Sequence, residues 1–280
     1  MPDIRLIVTD LDNTLLNSAH IVTPLTDAAI RAAQAQGVLF TVATGKTFPA
    51  TQGLIRDYGI TSPVICANGT AVYAPDGTLL HAEAIELDYT LEALALGREA
   101  NMTPVVYTGD DLLTWVWDAN VDVIVAHHEP EPEVIPDLEA AIRAAGDNGR
   151  HRPYKLIFMN QDERQVEQFT EVLTARFAGR ATAMRTGLAA VTELLPLGVT
   201  KGTALAYVLD YLGIAAENTL CVGDSFNDVD MMQRAAIGVA MANAPAPVRD
   251  AADFVTRSNE EDGVGHAIHQ FILTTEQMKR

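Results

Sequence analysis

Short apolar runs that end on polar residues constrain the fold of this chain more than any other feature. Residues 4–9 form such a run and end on Asp10, as a strand buried on both faces of a parallel sheet does. Three further runs end in the same way: residues 38–43 before Thr44-Gly45, residues 64–67 before Asn68-Gly69, and residues 219–222 before Gly223-Asp224. Because ligands collect outside the carboxyl ends of parallel strands, we expect these polar residues to share one site.

Helical segments alternate with these runs at both ends of the chain. Residues 26–36 are Ala-rich and stop at Gly37, and residues 203–212 and 229–236 are also helical in pattern. Such alternation predicts an α/β fold, with a parallel sheet covered on both faces. The middle of the chain mixes three helical segments (89–100, 138–145 and 163–177) with four strand-like ones (105–107, 112–117, 155–159 and 189–195).

The economical interpretation of this order is a Rossmann-like parallel-sheet core interrupted by an inserted domain. We place the core at residues 1–83 and 190–280, and an α/β cap domain at residues 84–189. Residues 76–77, Asp-Gly, predict a hairpin turn shortly before the insert.

Charge, hydropathy and cysteine content indicate which partners and which cellular location to expect. The chain of 280 residues has a formal net charge of −18 and a pI near 4.6, which disfavours nucleic acid and anionic membranes as partners. No apolar run reaches the roughly 20 residues that cross a bilayer, and the first residues lack a signal-peptide pattern. Cys66 and Cys221 lie in apolar runs, so buried reduced thiols are expected. We expect a cytoplasmic protein, a monomer or small homo-oligomer, that acts on a small molecule.

Two carboxylates follow the first strand. In Asp10-Leu11-Asp12-Asn13-Thr14 one carboxylate could attack phosphorus while the other handles the leaving group's proton. An aspartate pair that only caps a turn is an equally good interpretation of this pentapeptide alone.

A second acidic segment, Gly223 to Asp228, adds carboxylates and an amide in a predicted tight turn. Hard oxygen donors that converge from loops suit Mg²⁺, although the same residues could form an ordinary Gly-Asp turn and helix start. Thr200-Lys201-Gly202 opens a helix, where Lys201 could bind a phosphoryl oxygen or stand in solvent. Gly45-Lys46-Thr47 has the end of a nucleotide-binding P-loop, but the first glycine of that motif would fall at Phe40, inside a strand.

Taken together, the order and spacing of these segments resemble the haloacid dehalogenase superfamily, in particular its Cof-like branch of sugar-phosphate phosphatases with a large α/β cap. The resemblance covers nearly the whole core. The segments that carry it are residues 11–16, 43–45, 68–69, 198–202, 223–228, 240–244 and 258–264.

The resemblance implies a role for each site residue. Asp10 is the expected nucleophile and a Mg²⁺ ligand, and Asp12 the acid/base, with its backbone carbonyl on the metal. The other implied metal ligands are Asp224 and Asp228, and the implied phosphate-binding residues are Thr44, Gly45, Lys201 and Asn227. One departure is Lys46, where the family usually has arginine, because lysine cannot make the bidentate fork.

These features predict a Mg²⁺-dependent phosphatase that hydrolyses a small phosphate ester, a sugar phosphate or phosphorylated cofactor, through an aspartyl-phosphate. A phosphotransferase or mutase on the same core, and a regulatory protein that has lost the chemistry, are the alternatives. The insert could close over the site and choose the leaving group. Four residues of the insert are candidates to line the side that faces the site. Trp115 and Trp117 share one face at strand spacing, for which packing within the cap is the commoner role. The adjacent His127 and His128 suggest a metal pair, but neighbours on a strand point to opposite faces.

Overall fold

The computed structural model describes residues 2–109, 111–146, 152–185 and 190–273. The helices α1 to α10 of the described residues are Pro24–Ala35, Phe48–Tyr58, Leu87–Glu99, Ala119–Ala126, Leu138–Gly146, Glu163–Arg176, Lys201–Leu212, Val229–Arg234, Ala246–Asp250 and Gly263–Phe271. The strands β1 to β14 are Leu6–Thr9, Leu39–Val42, Val64–Cys66, Ala71–Tyr73, Leu79–Ala82, Thr103–Thr108, Asp111–Thr114, Glu133–Val134, Lys155–Met159, Ala181–Arg185, Val191–Pro196, Thr219–Gly223, Ile237–Ala240 and Phe254–Val255.

The chain divides into two compact units. The first unit comprises Met1–Thr44, Gly53–Thr78 and Thr200–Arg280, and the second comprises Gly45–Gln52 and Leu79–Val199. The short segment Gly45–Gln52 therefore belongs by its contacts to the second unit, although its neighbours in the sequence belong to the first.

A five-stranded parallel sheet forms the centre of the first unit, in the order β14-β13-β12-β1-β2. The predicted α/β class is confirmed. The apolar runs that precede Asp10 and Asp224 are the adjacent parallel strands β1 and β12. Residues from β1, β12, α7 and α8 share one buried apolar cluster, as a parallel sheet covered by helices requires.

The run before Asn68 departs from the simple parallel pattern. β3 touches the parallel sheet through a single bridge between Ala43 and Ile65, and it pairs antiparallel with β4, which the sequence did not predict. Ala67 and Asn68 both have a left-handed backbone, with φ of 48° and 61°, so the chain reverses directly after β3. The predicted turn at residues 76–77 is present, with Ala74 N–H donating to Thr78 O at 2.8 Å.

The second unit contains a six-stranded sheet in the order β10-β11-β9-β6-β7-β8. Its pairings are antiparallel except that between β7 and β8. Apolar residues of β6, β9 and β11 pack against those of α3, α5 and α6 and form the core of this unit. Ala189, the first residue of the predicted strand 189–195, lies outside the described residues.

Two local predictions in the second unit are wrong. β7 ends at Thr114, so Trp115 and Trp117 do not share a strand face. His127 ends the helix α4 and His128 follows with φ of 65°, so these histidines are not strand neighbours. The helix forms although residues 119–126 are rich in valine, because Asp118 caps it by accepting the N–H groups of residues 120 and 121.

Within the described part of the chain, no helix combines the length and the apolar character that a membrane crossing requires.

Candidate active site

Asp10 lies at the carboxyl end of β1, one residue beyond a strand whose four members are completely buried. Its N–H still donates to Val222 O of β12 at 2.9 Å, so the backbone at this position is held by the sheet. The residue is only 7% exposed. Burial raises the pKa of Asp10 well above its usual range, and the charge of Lys201 offsets only part of this effect.

The chain turns sharply after Asp10. Leu16 closes a wide turn by donating its N–H to Leu11 O at 2.9 Å. Inside the turn Asp12 is extended, with φ −73° and ψ 133°, and Asn13 is left-handed, with φ 58°. The two carboxylates predicted to act together therefore lie on one turn at the end of a central strand.

Lys201 is the first residue of α7, and a reciprocal cap fixes that end of the helix. Thr200 Oγ1 accepts from Thr203 N at 3.0 Å, and Thr203 Oγ1 accepts from Thr200 N at 2.9 Å. The ammonium of Lys201 lies 2.6 Å from both Asp10 Oδ1 and Asp228 Oδ1, and the residue is 1% exposed. Burial alone would lower the pKa of Lys201, but the two carboxylates raise it above its usual value, so the side chain stays charged.

Asp228 is completely buried and accepts hydrogen bonds on both carboxylate oxygens. Its Oδ1 accepts from Lys201, and its Oδ2 accepts the N–H groups of Asp224 at 3.0 Å and Ser225 at 2.9 Å. A Cβ placed on Gly223 would lie 2.4 Å from Asp228 Cβ, so only glycine fits there. Asp228 thus ties the turn after β12 to the lysine of α7.

Asp224 completes a group of three acidic side chains. Thr14, from the turn after β1, donates to Asp224 Oδ1 at 2.7 Å. Burial and then the charge of Asp228 raise the pKa of Asp224 to about 6. Asp10, Asp224 and Asp228 each offer an oxygen within 4.8 Å of the others. Three buried or half-buried carboxylates at this spacing repel one another, and they could hold a metal ion.

Asn68 connects the remaining core residues that we predicted to bind phosphate. Its N–H donates to Thr44 O at 3.0 Å, and its Oδ1 accepts from Asn227 Nδ2 at 2.9 Å. Asn227 Oδ1 is buried and has no hydrogen-bond partner among the described residues. The next residue, Gly69, approaches the helix start so closely that a Cβ would lie 2.2 Å from Thr200 O. Asn68, one of the polar residues expected to share this site, thus links Thr44 to Asn227.

A model of the haloacid dehalogenase-like hydrolase family matches residues 7–268 of the chain. This chain belongs to that family. The 5-amino-6-(5-phospho-D-ribitylamino)uracil phosphatase YcsE of Bacillus subtilis is 30% identical over 271 residues, which cover 97% of each protein. The chloroplastic endoribonuclease YBEY of Arabidopsis thaliana is 26% identical over an alignment of 280 positions that covers 96% of this chain and 47% of that protein, so the chain spans about half of its length.

Solved structures show the same fold. A haloacid dehalogenase-like hydrolase from Bacteroides thetaiotaomicron superposes with a TM-score of 0.83 at 24% identity, covering 95% of this chain and 99% of that one. A HAD subclass IIB sugar phosphatase superposes with a TM-score of 0.83 at 23% identity, covering 95% and 98%. The expected superfamily and the expected class of enzyme, a HAD-type phosphomonoester hydrolase, are confirmed.

Gly45 and Lys46 belong to a different part of this hydrolase, since their contacts lie in the second unit. Lys155 Nζ donates to Gly45 O at 2.8 Å, and Lys46 Nζ donates to His127 O. Thr47 donates from its N–H and its hydroxyl to the carboxylate of Glu129. Three consecutive residues after Thr44 are therefore held by side chains or backbone of the second unit.

The residues that hold this segment form a buried polar network, composed of Tyr107, Glu129, Lys155 and Glu193. Lys155 lies 3.3 Å from Glu193 Oε1 and 4.2 Å from the centre of the Tyr107 ring, whose hydroxyl donates to Glu129 at 3.2 Å. Lys155 is 2% exposed and Glu193 5%. Sequence reasoning missed this network, although one charged residue inside each apolar strand β9 and β11 was a signal for it.

Trp115 and Trp117, two of the four side chains proposed from sequence to line the site, contact other residues of the second unit. The guanidinium of Arg98 lies over the Trp115 ring at 4.2 Å, and Trp115 packs against the apolar core of the second unit. Trp117 is 42% exposed and donates to Asp122 at 2.9 Å. The packing role weighed for Trp115 is therefore the one observed.

Proposed function

We propose that this chain is a Mg²⁺-dependent phosphatase that hydrolyses small phosphate monoesters by way of a phosphorylated Asp10. The observation that carries the proposal is the buried carboxylate of Asp10, 2.6 Å from the buried ammonium of Lys201 and grouped with Asp224 and Asp228. A carboxylate in this position has a fixed cation beside it, which offsets the repulsion between a nucleophilic anion and a phosphate dianion.

The chemistry needs two displacements at phosphorus. In the first, an Asp10 oxygen attacks phosphorus, the ester P–O bond breaks, and Asp12 gives its proton to the departing alkoxide. In the second, Asp12 takes a proton from water as the water oxygen attacks phosphorus. The acyl-phosphate P–O bond then breaks, inorganic phosphate leaves, and Asp10 is again a carboxylate.

The acidic group fits a small hard cation. Asp10, the backbone carbonyl of Asp12 and Asp224 would hold Mg²⁺, and Asp228 would support them from its contacts with the Asp224 turn and Lys201. When bound, the cation neutralises charge on the phosphoryl oxygens and on the carboxylates. Burial is the main cause of the raised pKa values of Asp10 and Asp224, and the neighbouring carboxylates add to it; a bound cation would oppose both effects by favouring the ionised forms.

Lys201, Thr44, Asn227 and the N–H of Gly45 are the proposed phosphate-binding groups. Lys201 gives a point charge at the start of α7, where the helix dipole favours anions. The bond from Asn68 N–H to Thr44 O holds the peptide plane that also carries the Gly45 N–H.

For the substrate we propose a sugar phosphate or a phosphorylated cofactor. The support is the likeness to YcsE, named for a phosphorylated ribitylamino-uracil, and to a sugar phosphatase. A phosphate-release screen over small phosphate esters would rank these candidates.

The first test is turnover of p-nitrophenyl phosphate by purified protein, with Mg²⁺ and then with excess EDTA. We expect turnover that requires the metal and returns when Mg²⁺ is restored. Equal rates in EDTA, with no metal in the protein by elemental analysis, would remove the metal from the proposal.

Labelled water distinguishes hydrolysis from transfer. In ¹⁸O-water a hydrolase releases phosphate that carries one solvent oxygen per turnover. Phosphate that reappears on another hydroxyl at a comparable rate, without label, would identify a phosphotransferase or mutase instead.

A further inference from the structure

Two segments that carry the family resemblance, residues 240–244 and 258–264, have no part in the proposed chemistry. In the structure both contact the turn that follows Asp10. Asn243 Nδ2 donates to Asn13 O at 2.9 Å, and Asn259 Nδ2 donates to Leu16 O at 3.1 Å. All of these residues belong to the first unit.

The two asparagines also contact each other, which fixes how the side-chain amide of Asn243 points. Asn259 N–H donates to Asn243 Oδ1 at 3.1 Å. An oxygen must occupy that position on Asn243, so its NH₂ group faces Asn13 O. Asn243 and Asn259 thus form one hydrogen-bonded pair that donates to two carbonyls of the turn, Asn13 O and Leu16 O.

The neighbouring acidic residues continue the same contact. Glu260 Oε1 accepts the N–H of Ser18 at 2.6 Å, and Asp262 Oδ1 accepts from the hydroxyl of Thr23. The segment that precedes α10 therefore lies along residues 13–23, from the turn to the start of α1.

The turn needs such support because its backbone is not regular. Asn13 has φ 58°, a left-handed conformation that is unfavourable for most residues and that asparagine tolerates better than most. The peptide between Asp12 and Asn13 takes its orientation from this conformation. The hydrogen bond from Asn243 to the carbonyl of Asn13 restrains the peptide that follows Asn13.

We propose that Asn243 and Asn259 are positioning residues that hold Asp12 in place for proton transfer to the leaving group. The inference rests on the proposed function, in which Asp12 is the acid. Neither asparagine touches the reacting atoms; both act through the backbone of the turn.

The test compares two esters that differ in their need for an acid. Glycerol 2-phosphate expels an alkoxide and requires a proton, whereas p-nitrophenyl phosphate expels a stable anion and does not. For Asn243→Ala and Asn259→Ala we expect kcat/KM on glycerol 2-phosphate to fall about fivefold, the effect of one hydrogen bond. The factor by which kcat/KM falls on p-nitrophenyl phosphate should be at least three times smaller than the factor on glycerol 2-phosphate. Because Asn243 is exposed and water competes for its bonds, a loss of orders of magnitude is not expected.

Three variants make the comparison sharp. Asn243→Asp keeps the acceptor for Asn259 N–H and loses the donor to Asn13 O, so it should resemble Asn243→Ala. Asn160→Ala is the matched control, since Asn160 Nδ2 makes a 3.0 Å bond to Asn101 O in the second unit. The double variant Asn243→Ala/Asn259→Ala should lose less than the product of the single losses, because the residues share a bond.

Hydrogen exchange gives a readout independent of turnover: amides of residues 13–16 should exchange faster in Asn243→Ala than in the wild type and in Asn160→Ala. Equal losses on both esters, or unchanged exchange in the turn, would overturn the inference and leave the proposed function standing. Wild-type protein that hydrolyses neither ester, or an Asp12→Ala variant without leaving-group dependence, would instead count against the proposed function.

Discussion

Asp10 is the residue on which the proposed chemistry depends most directly. Asp10→Asn keeps the shape of the side chain but cannot form a phosphoenzyme, so we expect turnover of p-nitrophenyl phosphate to fall by orders of magnitude. The fold should survive, because an amide removes a charge that burial already disfavours.

Steady-state kinetics and thermal melting check this prediction. Asp210→Asn is the control, because Asp210 is an exposed residue on the same helix as Lys201; this variant should retain wild-type kinetics. Asp10→Asn activity within about tenfold of wild type, roughly 1.4 kcal/mol of barrier, would show that Asp10 is not the nucleophile.

The raised pKa of Asp224 predicts how the stability of the metal-free protein depends on pH. The pKa of Asp224 is raised to about 6, above the value near 3.8 of an unfolded chain, chiefly by burial. Between these values the folded state binds a proton that the unfolded state has released, so this contribution to stability is present below about pH 4 and is lost as pH rises through 6. Asp224→Asn lacks the titrating group.

Melting temperatures in EDTA at several pH values test this linkage. The melting temperature of Asp224→Asn relative to wild type should rise from pH 4.5 to pH 7.5. At pH 7.5, Mg²⁺ should raise the melting temperature of the wild type more than that of the variant. A constant difference across this range would contradict the assignment of the shift to Asp224.

At the scale of elements, the paired strands β9 and β11 of the second unit carry a buried ion pair between Lys155 and Glu193. Lys155 of β9 and Glu193 of β11 are each the one charged residue of a buried strand, and Lys155 also donates to Gly45 O. Lys155→Met removes this cation while Glu193 stays buried. Breaking a buried pair in this way costs about 3–5 kcal/mol, so the free energy of unfolding should fall by about 3 kcal/mol.

Urea unfolding measures that loss, and two variants help to interpret it. Lys155→Met/Glu193→Gln removes both charges and should recover part of the stability. Arg176→Met breaks the exposed ion pair with Glu92 and should cost less than about 1 kcal/mol. If Lys155→Met cost no more than Arg176→Met, the buried pair would not support the unit.

At the scale of the whole molecule, the chain enters and leaves the second unit twice, at residues 45–52 and 79–199. Except for Gly45, every predicted catalytic, metal and phosphate residue belongs to the first unit. Replacing residues 84–199, which include β11, with a Gly/Ser linker should therefore spare turnover of p-nitrophenyl phosphate but flatten the ranking of larger phosphate esters. It should also lower the melting temperature, because Gly45 and Thr47 lose Lys155 and Glu129 as partners.

A panel of phosphate esters, compared between full-length and truncated protein, checks this prediction. Asp10→Asn in the truncated protein is the control that any activity arises at the same site. An unchanged ranking in a folded truncated protein would show that the insert does not select substrates.

The sequence by itself determined the central strands, the class of fold and the order of the polar segments. The physical reason is local: a strand buried on both faces must be apolar throughout, and a polar residue directly after it marks where it ends. Asp10, Thr44 and Asp224 could be placed in this way because each follows such a run.

The tertiary structure decided which groups meet. Lys201 lies at a helix start where a lysine is usually solvated, and only the packing of α7 brings its ammonium within 2.6 Å of Asp10 and Asp228. Asn243 and Asn259 lie more than 200 residues from Asn13 in the sequence and contact it or its turn only after folding. Hydrogen bonds between such distant residues depend on the position of every intervening element, which no local pattern encodes.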